Sequence, residues 1–358
     1  MPSISRDSAT IIDPGGRVRQ AMAGVGPTAT RAGRLRWILL WIGSAGLLTW
    51  SLLAILFVGG GVAGIGALRW LLALVWLALG ALSFRRLPEP GRWIVPIVMF
   101  AVALVGLFLV RPSHERDWSD DQARTAWAQV DGSVVTFHNI RDFRYRSQER
   151  WEPDWRDGVY DVAELQQAYF VVEHFSESQA VAHTLVSFRF SGDRFLAFSV
   201  EIRKEKGESF SPLRGLFRQF ELTYVVADER DVLQLRTHHR DSRVHIHPIK
   251  ARPDRLVAYF MDLVRRVNEL HSQPAFYNTL TSSCTTNLAS HLETVTDRRL
   301  MWDYRVYLPG YSSALAWETD LLDSDLSLQQ TLERDLVNAE QIGRAGDRED
   351  YSLLIRQR

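Results

Sequence analysis

Cysteine is almost absent from the sequence, which has one, Cys284, in 358 residues. A single cysteine excludes an intramolecular disulfide framework and a zinc site built from cysteines. An excess of charge of either sign is also missing, because 42 basic residues balance 42 acidic ones. The composition therefore gives no indication that nucleic acid is a partner.

Charged residues are scarce between Arg36 and Arg111. Three apolar runs lie there, at about 37–58, 62–84 and 93–110, and each is long enough to cross a bilayer. The sequence has 12 tryptophans, and several stand near the ends of these runs, where a bilayer interface favours them. A buried helical hairpin in a soluble protein is the alternative, but three consecutive runs disfavour it. We predict three transmembrane helices within residues 31–111.

The arginines around these runs predict the orientation of the helices in the membrane. They lie before the first run and between the second and the third, at Arg31, Arg34, Arg36, Arg85, Arg86 and Arg92. The positive-inside rule places both groups in the cytoplasm. Three crossings then carry residues 112–358 into the periplasm of a Gram-negative cell, as one domain anchored in the inner membrane. The polar residues 1–30 are expected to form a disordered cytoplasmic tail.

The segment 276–288 carries hydroxyl side chains on both sides of Cys284. Apolar residues recur at helical spacing from Leu288 to Val295, and Thr281-Ser282-Ser283 offers an N-cap for that helix. Cys284 is then expected in the first helical turn, where unpaired backbone N–H groups and the helix dipole favour a thiolate. The alternative is a small structural cysteine buried under the helix. The segment alone leaves both interpretations open.

A nucleophilic cysteine needs a proton acceptor, usually a histidine that a third group orients. The clearest β-hairpin of the chain has strands at 182–190 and 194–203, and His183 stands at its start. If the apolar faces of both strands meet one core, even positions pair with even positions, and the three-residue turn between them gives that register. Glu201 then lies opposite His183, with Ser199 on the same face. We predict that Glu201 orients His183, with Ser199 as the second candidate.

Other histidines give weaker candidates. His291 follows Cys284 on the same helix, about 10 Å along its axis, which is too far to act on the thiol. The hairpin face that carries His183 has the alternative of being an ordinary solvated strand face. A further alternative is a metal site made of His238, His239, His245 and His247, although no carboxylate pair or cysteine accompanies them. We expect neither a metal nor a cofactor.

The pattern of the remaining segments predicts an α+β domain with an antiparallel sheet. Ser119 to Val130 and Arg255 to Leu270 have the periodicity of amphipathic helices. Asp231 to Arg236 and Arg243 to His247 have the pattern of strands. The Cys284 helix and the His183 hairpin are the two parts of this domain that carry chemistry.

A histidine on a strand, its partner on the next strand and a downstream cysteine at a helix N-terminus resemble the papain arrangement in permuted order. Residues about 131 to 315 resemble the periplasmic domain of Lnb-type lipoprotein N-acyltransferases, which are circularly permuted papain-like cysteine enzymes. The matching pieces include the His183 strand and Asn139-Ile140-Arg141-Asp142-Phe143, Phe198-Ser199-Val200-Glu201-Ile202-Arg203, Lys206-Gly207-Glu208, Glu229-Arg230-Asp231, Pro274-Ala275-Phe276-Tyr277-Asn278, Ser283-Cys284-Thr285-Thr286 and Leu308-Pro309-Gly310-Tyr311.

The resemblance implies a permuted papain-like fold and a catalytic pair, Cys284 and His183. It implies transfer of an acyl chain from a membrane phospholipid, through a Cys284 thioester, to the N-terminal amine of a diacylated lipoprotein. Two features depart from the family pattern. Ser283 stands where the family often has asparagine before the nucleophile, and the membrane spans here precede the domain instead of following it.

Two other functions fit the same residues. A periplasmic cysteine peptidase or amidase would use the same three residues with water as the acceptor. A non-enzymatic scaffold tethered to the membrane would keep Cys284 as a structural residue. Reactivity of the thiol separates the scaffold from both enzymes, whereas the sequence does not separate an amine acceptor from water.

Overall fold

The computed structural model of the chain describes residues 10–12, 18–20, 31–58 and 66–357. Near the start, strands β1 (Thr10–Ile12) and β2 (Val18–Gln20) pair antiparallel. Both strands lie within residues 1–30, which were predicted to form a disordered tail. The rest of the predicted disordered tail lies outside the described residues. Residues 59–65, which include the start of the second predicted span, also lie outside the described residues.

Three long helices follow, α1 (Arg31–Phe57), α2 (Gly66–Arg86) and α3 (Gly91–Leu109). Each is long and apolar enough to cross a membrane, with mean hydropathies of 1.9, 1.8 and 2.3. Their large apolar side chains are mostly exposed, which is the surface that lipid covers. The buried residues of α1 and α2 are all small, and small residues let membrane helices approach closely: Ser44, Ser51, Ala54, Ala73, Gly80 and Ser83. The three predicted apolar helices are confirmed.

The domain after these helices is built on an eight-stranded sheet. Its strands are β3 (Trp127–Asp131), β4 (Val134–Arg141), β7 (Trp155–Asp161), β8 (Leu165–His174), β9 (His183–Phe190), β10 (Arg194–Arg203), β11 (Glu221–Asp228) and β12 (Arg243–Pro248). They run in the order β12-β8-β9-β10-β11-β4-β3, and β7 pairs with β4. The short strands β5 (Arg144–Tyr145) and β6 (Trp151–Glu152) pair separately.

The sheet is mixed, so the prediction of an antiparallel sheet is wrong at one junction. Strand β4 lies parallel to β11, with Arg141 opposite Ala227. Short loops force neighbouring strands to be antiparallel, but a long connection leaves the direction free. Here β5 to β10 intervene between β4 and β11, and no local sequence signal reports how two such distant strands pair.

Helices cover both faces of the sheet. They are α4 (Glu229–Gln234), α5 (Pro253–Ser272), α6 (Cys284–Val295), α7 (Ser312–Glu318), α8 (Leu328–Asp335), α9 (Ala339–Ala345) and α10 (Tyr351–Leu354). On one face, Phe260 of α5 packs against Phe188 and Phe198, with ring centroids 5.1 and 5.7 Å away. On the other face, Leu185 and Ala197 share a buried cluster with residues of α4, α9 and α10. The central strands are consequently buried on both sides.

Two predicted elements have a different structure. The segment 119–130, predicted as a helix, contains a short 3-10 turn and strand β3, because its second half pairs with β4 from Trp127 opposite His138 onward. The segment Asp231 to Arg236, predicted as a strand, is helical. Asp228 caps α4 by accepting a hydrogen bond from the backbone N–H of Arg230. Both faces of this segment are buried, so the helical period is hidden in the sequence.

Candidate active site

Helix α6 begins at Cys284. Ser283 is the N-cap, and it exchanges hydrogen bonds with Thr286: the Ser283 backbone N–H donates to Thr286 Oγ1 at 2.7 Å, and the Thr286 N–H donates to Ser283 Oγ at 3.4 Å. This capping box fixes where the helix starts. The predicted position of Cys284 in the first turn is therefore confirmed. The thiol lies at the positive end of the helix dipole, beside N–H groups without helical acceptors.

The Cys284 thiol lies against the start of β9. Thr184 Oγ1 and Thr285 Oγ1 are 3.0 Å apart, which ties α6 to the strand that begins with His183. Burial alone would raise the pKa of the Cys284 thiol, which is 7 % exposed. The charge and hydrogen bond of His183, the backbone N–H of Thr184 and the hydroxyl of Thr285 outweigh burial and lower that pKa to about 6. A thiol in this environment is largely thiolate at neutral pH.

The predicted hairpin register is confirmed, since β9 and β10 pair from Arg194 opposite Phe190 to Ser199 opposite Leu185. The contact that this register gives His183 is with Ser199, whose Oγ is 2.8 Å from His183 Nε2. Ser199 in turn donates to Glu201 Oε1 at 2.7 Å. Glu201 therefore reaches His183 through Ser199, because the pairing stops two residues short of Glu201. The solvated-face alternative is wrong for Ser199, which is 0 % exposed.

The order of these contacts sets the role of each ring nitrogen of His183. Nε2 faces the Ser199 hydroxyl at 2.8 Å, so we assign the interaction with the thiol to Nδ1. When the ring is charged, Nε2–H donates to Ser199 Oγ, and the Ser199 hydroxyl passes its own hydrogen bond to the Glu201 carboxylate. A histidine held in this way stays in one orientation while Nδ1 gains and loses a proton.

Arg236 is a member of this site that sequence reasoning missed. Its Nη2 donates to Glu201 Oε1 at 3.2 Å and its Nε donates to Glu173 Oε2 at 2.7 Å. Burial opposes ionisation of Glu201, but the charges of Arg236 and Arg141 outweigh it and hold the pKa of that carboxyl well below its usual range. Glu201 is thus a fixed negative charge behind Ser199. The side-chain amide of Gln122 donates a further hydrogen bond to this carboxylate, with Nε2 3.3 Å from Glu201 Oε2.

The backbone around Arg236 explains why the sequence hides it. Helix α4 continues directly into a π-helical segment, Leu235–His239, and Arg236 lies in its first turn. Segments of π-helix are rare and often occur at functional sites. No pattern of residues in the sequence predicts a π-helical segment. The signal that was present is chemical: a carboxylate that is largely shielded from water on a central strand needs a cation near it.

Two other histidines that the sequence singled out, His247 and His291, have partners away from the thiol. His247 has both ring nitrogens hydrogen-bonded, Nδ1 to Asp335 at 2.8 Å and Nε2 to Ser313 at 2.9 Å, which leaves none for a metal ion. His291 contacts Tyr224 and Asp262 at 2.8 and 2.6 Å, away from the thiol. Among the residues that the structure describes, no group of three or more His, Cys, Asp or Glu side chains could hold a metal.

The loop between β10 and β11, residues 204–220, rests on the ends of two membrane helices. The Phe217 ring centroid is 5.7 Å from that of Trp50 and 6.1 Å from that of Phe57, both in α1. Arg218 follows, with Nη1 donating to the carbonyl of Val110 at 3.3 Å and its guanidinium 4.4 Å from the Phe108 ring. The C-terminal ends of α1 and α3 therefore lie on one side, where the domain attaches.

The same loop holds the segment that leads to the cysteine. The Arg218 guanidinium is 5.5 Å from the Phe276 ring, and Thr279 Oγ1 donates to the Pro212 carbonyl at 2.6 Å. A Cβ at Gly215 would collide with the Thr279 hydroxyl, so the lack of a side chain at Gly215 leaves room for the hydroxyl that bonds to Pro212. Contacts consequently run without a break from the membrane helices through 204–220 to 276–283 and Cys284.

A family comparison bears on the same segment of the chain. The family model of the Lnb N-terminal periplasmic domain matches residues 151–310. The matched segment contains Cys284, His183 and Glu201, together with Ser199 and Arg236. The three apolar helices, β3, β4 and α7 to α10 lie outside it. No curated protein and no solved structure matches the chain.

Proposed function

Since residues 151–310 belong to the Lnb N-terminal periplasmic domain family, we propose that this membrane protein is a cysteine acyltransferase of permuted papain-like architecture. It moves an acyl chain from a phospholipid to the N-terminal amine of a diacylated lipoprotein. The observation that carries the proposal is the thiol of Cys284, whose pKa is lowered to about 6 beside His183. Cys284 directly follows the segment 276–283, which contacts the loop that rests on the membrane helices, and this supports a substrate drawn from the bilayer.

In the first half of the reaction the Cys284 thiolate attacks an ester carbonyl of the phospholipid. The carbonyl oxygen becomes an oxyanion, and the backbone N–H of Cys284 at the helix N-terminus stabilises it. The C–O bond to the glycerol oxygen then breaks. Protonated His183 gives its Nδ1 proton to that oxygen, so a lysophospholipid alcohol leaves and Cys284 carries the acyl group as a thioester.

In the second half an amine attacks the thioester. Neutral His183 accepts a proton from the attacking nitrogen, the C–S bond breaks, and the Cys284 thiolate and imidazolium pair is restored with the acyl group now in an amide. Through both halves His183 must keep one orientation. Ser199 supplies the contact to its Nε2, and the Glu201 carboxylate behind Ser199 stabilises the imidazolium.

The transmembrane helices hold Cys284 close to the phospholipid that donates the acyl chain. Three apolar side chains in the two membrane-side loops are exposed, Phe210 at 46 %, Leu213 at 44 % and Leu280 at 53 %. Exposed apolar side chains beside transmembrane helices favour contact with lipid. Leu280 stands four residues before the nucleophile, so the proposed arrangement brings phospholipid to Cys284 without a carrier.

We propose that the three helices span the inner membrane with residues 112–358 in the periplasm. A phosphatase reporter fused after Arg358 should then be active, and one fused after Arg86 should be inactive, because phosphatase matures only outside the cytoplasm. A fluorescent protein that folds only in the cytoplasm should give the opposite result at both sites. An active phosphatase after Arg86 together with an inactive one after Arg358 contradicts the periplasmic placement.

Mass spectrometry tests the reaction itself. The purified chain is incubated with palmitoyl phosphatidylethanolamine, and the peptide that contains Cys284 is expected to gain one palmitoyl mass. Addition of a synthetic diacylated lipopeptide with a free N-terminal amine should remove that mass and yield the N-acylated lipopeptide. Its N-acetylated twin, which lacks the amine, serves as the control and should leave the thioester in place.

Two outcomes of that experiment contradict the transferase. Release of free palmitate in place of lipopeptide acylation assigns a hydrolase that uses water as the acceptor. A chain that forms no adduct, and whose Cys284 alkylates slowly, is a membrane-tethered scaffold with a structural cysteine.

A further inference from the structure

A cavity of about 260 Å³ lies inside the domain beside α6. One face of α6 forms a wall of it over nearly three helical turns. The residues of that wall are Thr285, Leu288, Ala289, Leu292, Val295 and Thr296. Strands β8 and β9, helix α5 and helix α7 contribute the other walls. The lining is predominantly apolar, so the cavity offers few polar partners to a peptide.

The direction of the cavity follows from contacts between α5 and α6. At one end, Thr285 lines the cavity and its Oγ1 is 3.7 Å from the Cys284 sulfur. In the middle, the Tyr259 hydroxyl lies 3.5 Å from the Leu288 carbonyl. At the far end, Arg255 donates to the carbonyl of Val295. The cavity therefore starts one side chain away from the nucleophile and extends away from it.

Its length matches one lipid chain. From Thr285 to Val295 an α-helix advances about 15 Å. The hydrocarbon core of a bilayer is about 30 Å thick, so one acyl chain in one leaflet occupies about half of that. A peptide of the same length would bring backbone N–H and C=O groups that this lining could not satisfy.

Basic residues border the far end. All four charged residues of the lining are cations, Lys250, Arg252, Arg255 and Arg298. Three of them direct their charges to groups outside the cavity: Lys250 to Asp320 at 2.9 Å, Arg252 to Asp254 at 3.0 Å, and Arg298 to the Thr319 carbonyl. Long cationic side chains present apolar stems to a cavity while their heads stay in water. This border limits how far a hydrocarbon chain can extend.

We propose that this cavity binds the acyl chain that is esterified to Cys284, and that its far end sets the longest chain accepted. The inference rests on the proposed acyl transfer for the identity of the bound group. It adds a binding site for the acyl chain and a structural limit on the length of that chain. Each methylene that fits should improve acylation about fourfold, and methylenes beyond the far end should improve it no further.

The test places a large side chain at the far end of the cavity. The control places the same side chain at the neighbouring helix position, which lies outside the cavity. Val295 lines the cavity, whereas Thr294 is exposed. Val295→Trp should shorten the cavity by about one helical turn. Thr294→Trp adds the same side chain outside it. The whole chain is prepared in digitonin, a steroid detergent without an alkyl chain that could occupy the cavity.

Thioester formation on Cys284 is measured with phosphatidylethanolamines whose acyl chains increase from octanoyl to stearoyl. With long-chain lipids, the Val295→Trp variant should form the thioester at least about tenfold more slowly than the native protein. With the octanoyl lipid, the two rates should agree within about twofold. The Thr294→Trp variant should follow the native profile throughout. If the tryptophan variant does not fold, Val295→Phe with Thr294→Phe repeats the comparison with a smaller ring.

A second measurement separates the cavity from the chemistry. In the Cys284→Ala chain, fluorescent cis-parinaric acid should bind, and free fatty acids should displace it with the same dependence on chain length. Binding that Val295→Trp weakens supports the cavity even if no thioester forms, in which case only the proposed transfer fails. Identical chain-length profiles in all variants, or no binding of parinaric acid, overturn the cavity assignment and leave the transferase intact.

Discussion

Replacement of Cys284 by serine will abolish formation of the thioester while the chain still folds and enters the membrane. A serine hydroxyl at this position is not ionised near neutral pH, so the attack on an ester carbonyl should slow by roughly three orders of magnitude or more. The fold should persist because the Ser283–Thr286 capping box and the Thr184–Thr285 contact remain. Mass spectrometry of the acylated peptide and circular dichroism of the same sample measure both results.

The reactivity of the native thiol gives this prediction a pH profile. With a pKa of about 6, alkylation of Cys284 by iodoacetamide should rise through a midpoint near that pH, well below the value of about 8.5 for an ordinary thiol. At pH 6 the thiolate fraction is larger by about a hundredfold than that of an ordinary cysteine. A less basic thiolate is also a weaker nucleophile, which reduces the gain in rate to about tenfold.

A matched control lies on the same helix. Ser290 is exposed on α6, so the double variant Cys284→Ser with Ser290→Cys carries one ordinary thiol a short distance away. That thiol should titrate near 8.5. Equal midpoints for the native chain and the control, or loss of the fold in Cys284→Ser, would identify Cys284 as a structural cysteine.

Local patterns were sufficient to predict the parts of the site that local interactions determine. Thr281-Ser282-Ser283 before an apolar helical pattern predicted the start of α6, because a helix begins where a side chain can cap it. Alternation along β9 and β10 predicted the register, because a shift by one residue would move every apolar side chain out of the core. His183 and Ser199 came within hydrogen-bonding distance as a direct result.

Other parts of the site depend on distant segments and left no local pattern. Glu201 was expected to contact His183, but strands β9 and β10 stop pairing at Ser199 and the hydroxyl occupies the place next to the ring. Arg236 lies where α4 continues into a π-helical segment, at the end of the predicted strand Asp231 to Arg236. The parallel contact of β4 with β11 brings Arg141 near Glu201. Each depends on how remote elements pack, which the order of residues in one segment does not encode.

His183→Ala should remove both the enhanced reactivity of the thiol and the thioester. Burial raises the pKa of the Cys284 thiol and His183 is the first of the groups that oppose it. Without the imidazole, the midpoint of alkylation should move from about 6 to at least the ordinary value near 8.5. The leaving glycerol oxygen would also lose its proton donor. We expect thioester formation to fall by roughly three orders of magnitude, measured alongside the alkylation midpoint.

Substitution of Ser199 or Glu201 should slow acylation less than His183→Ala does, and only while His183 is present. Ser199→Ala removes the contact to Nε2, and Glu201→Gln removes the charge behind it, so each should slow acylation by about tenfold and shift its pH profile. Glu229→Gln is the control, because Glu229 is a fully buried carboxylate whose ion pair is with Arg356 instead of Arg236. It should preserve the profile. In the His183→Ala background, Ser199→Ala should add no more than about twofold, since an orienting group contributes nothing once the base is absent. A double variant that loses a further tenfold would show that Ser199 acts on the reaction by some other route than through His183.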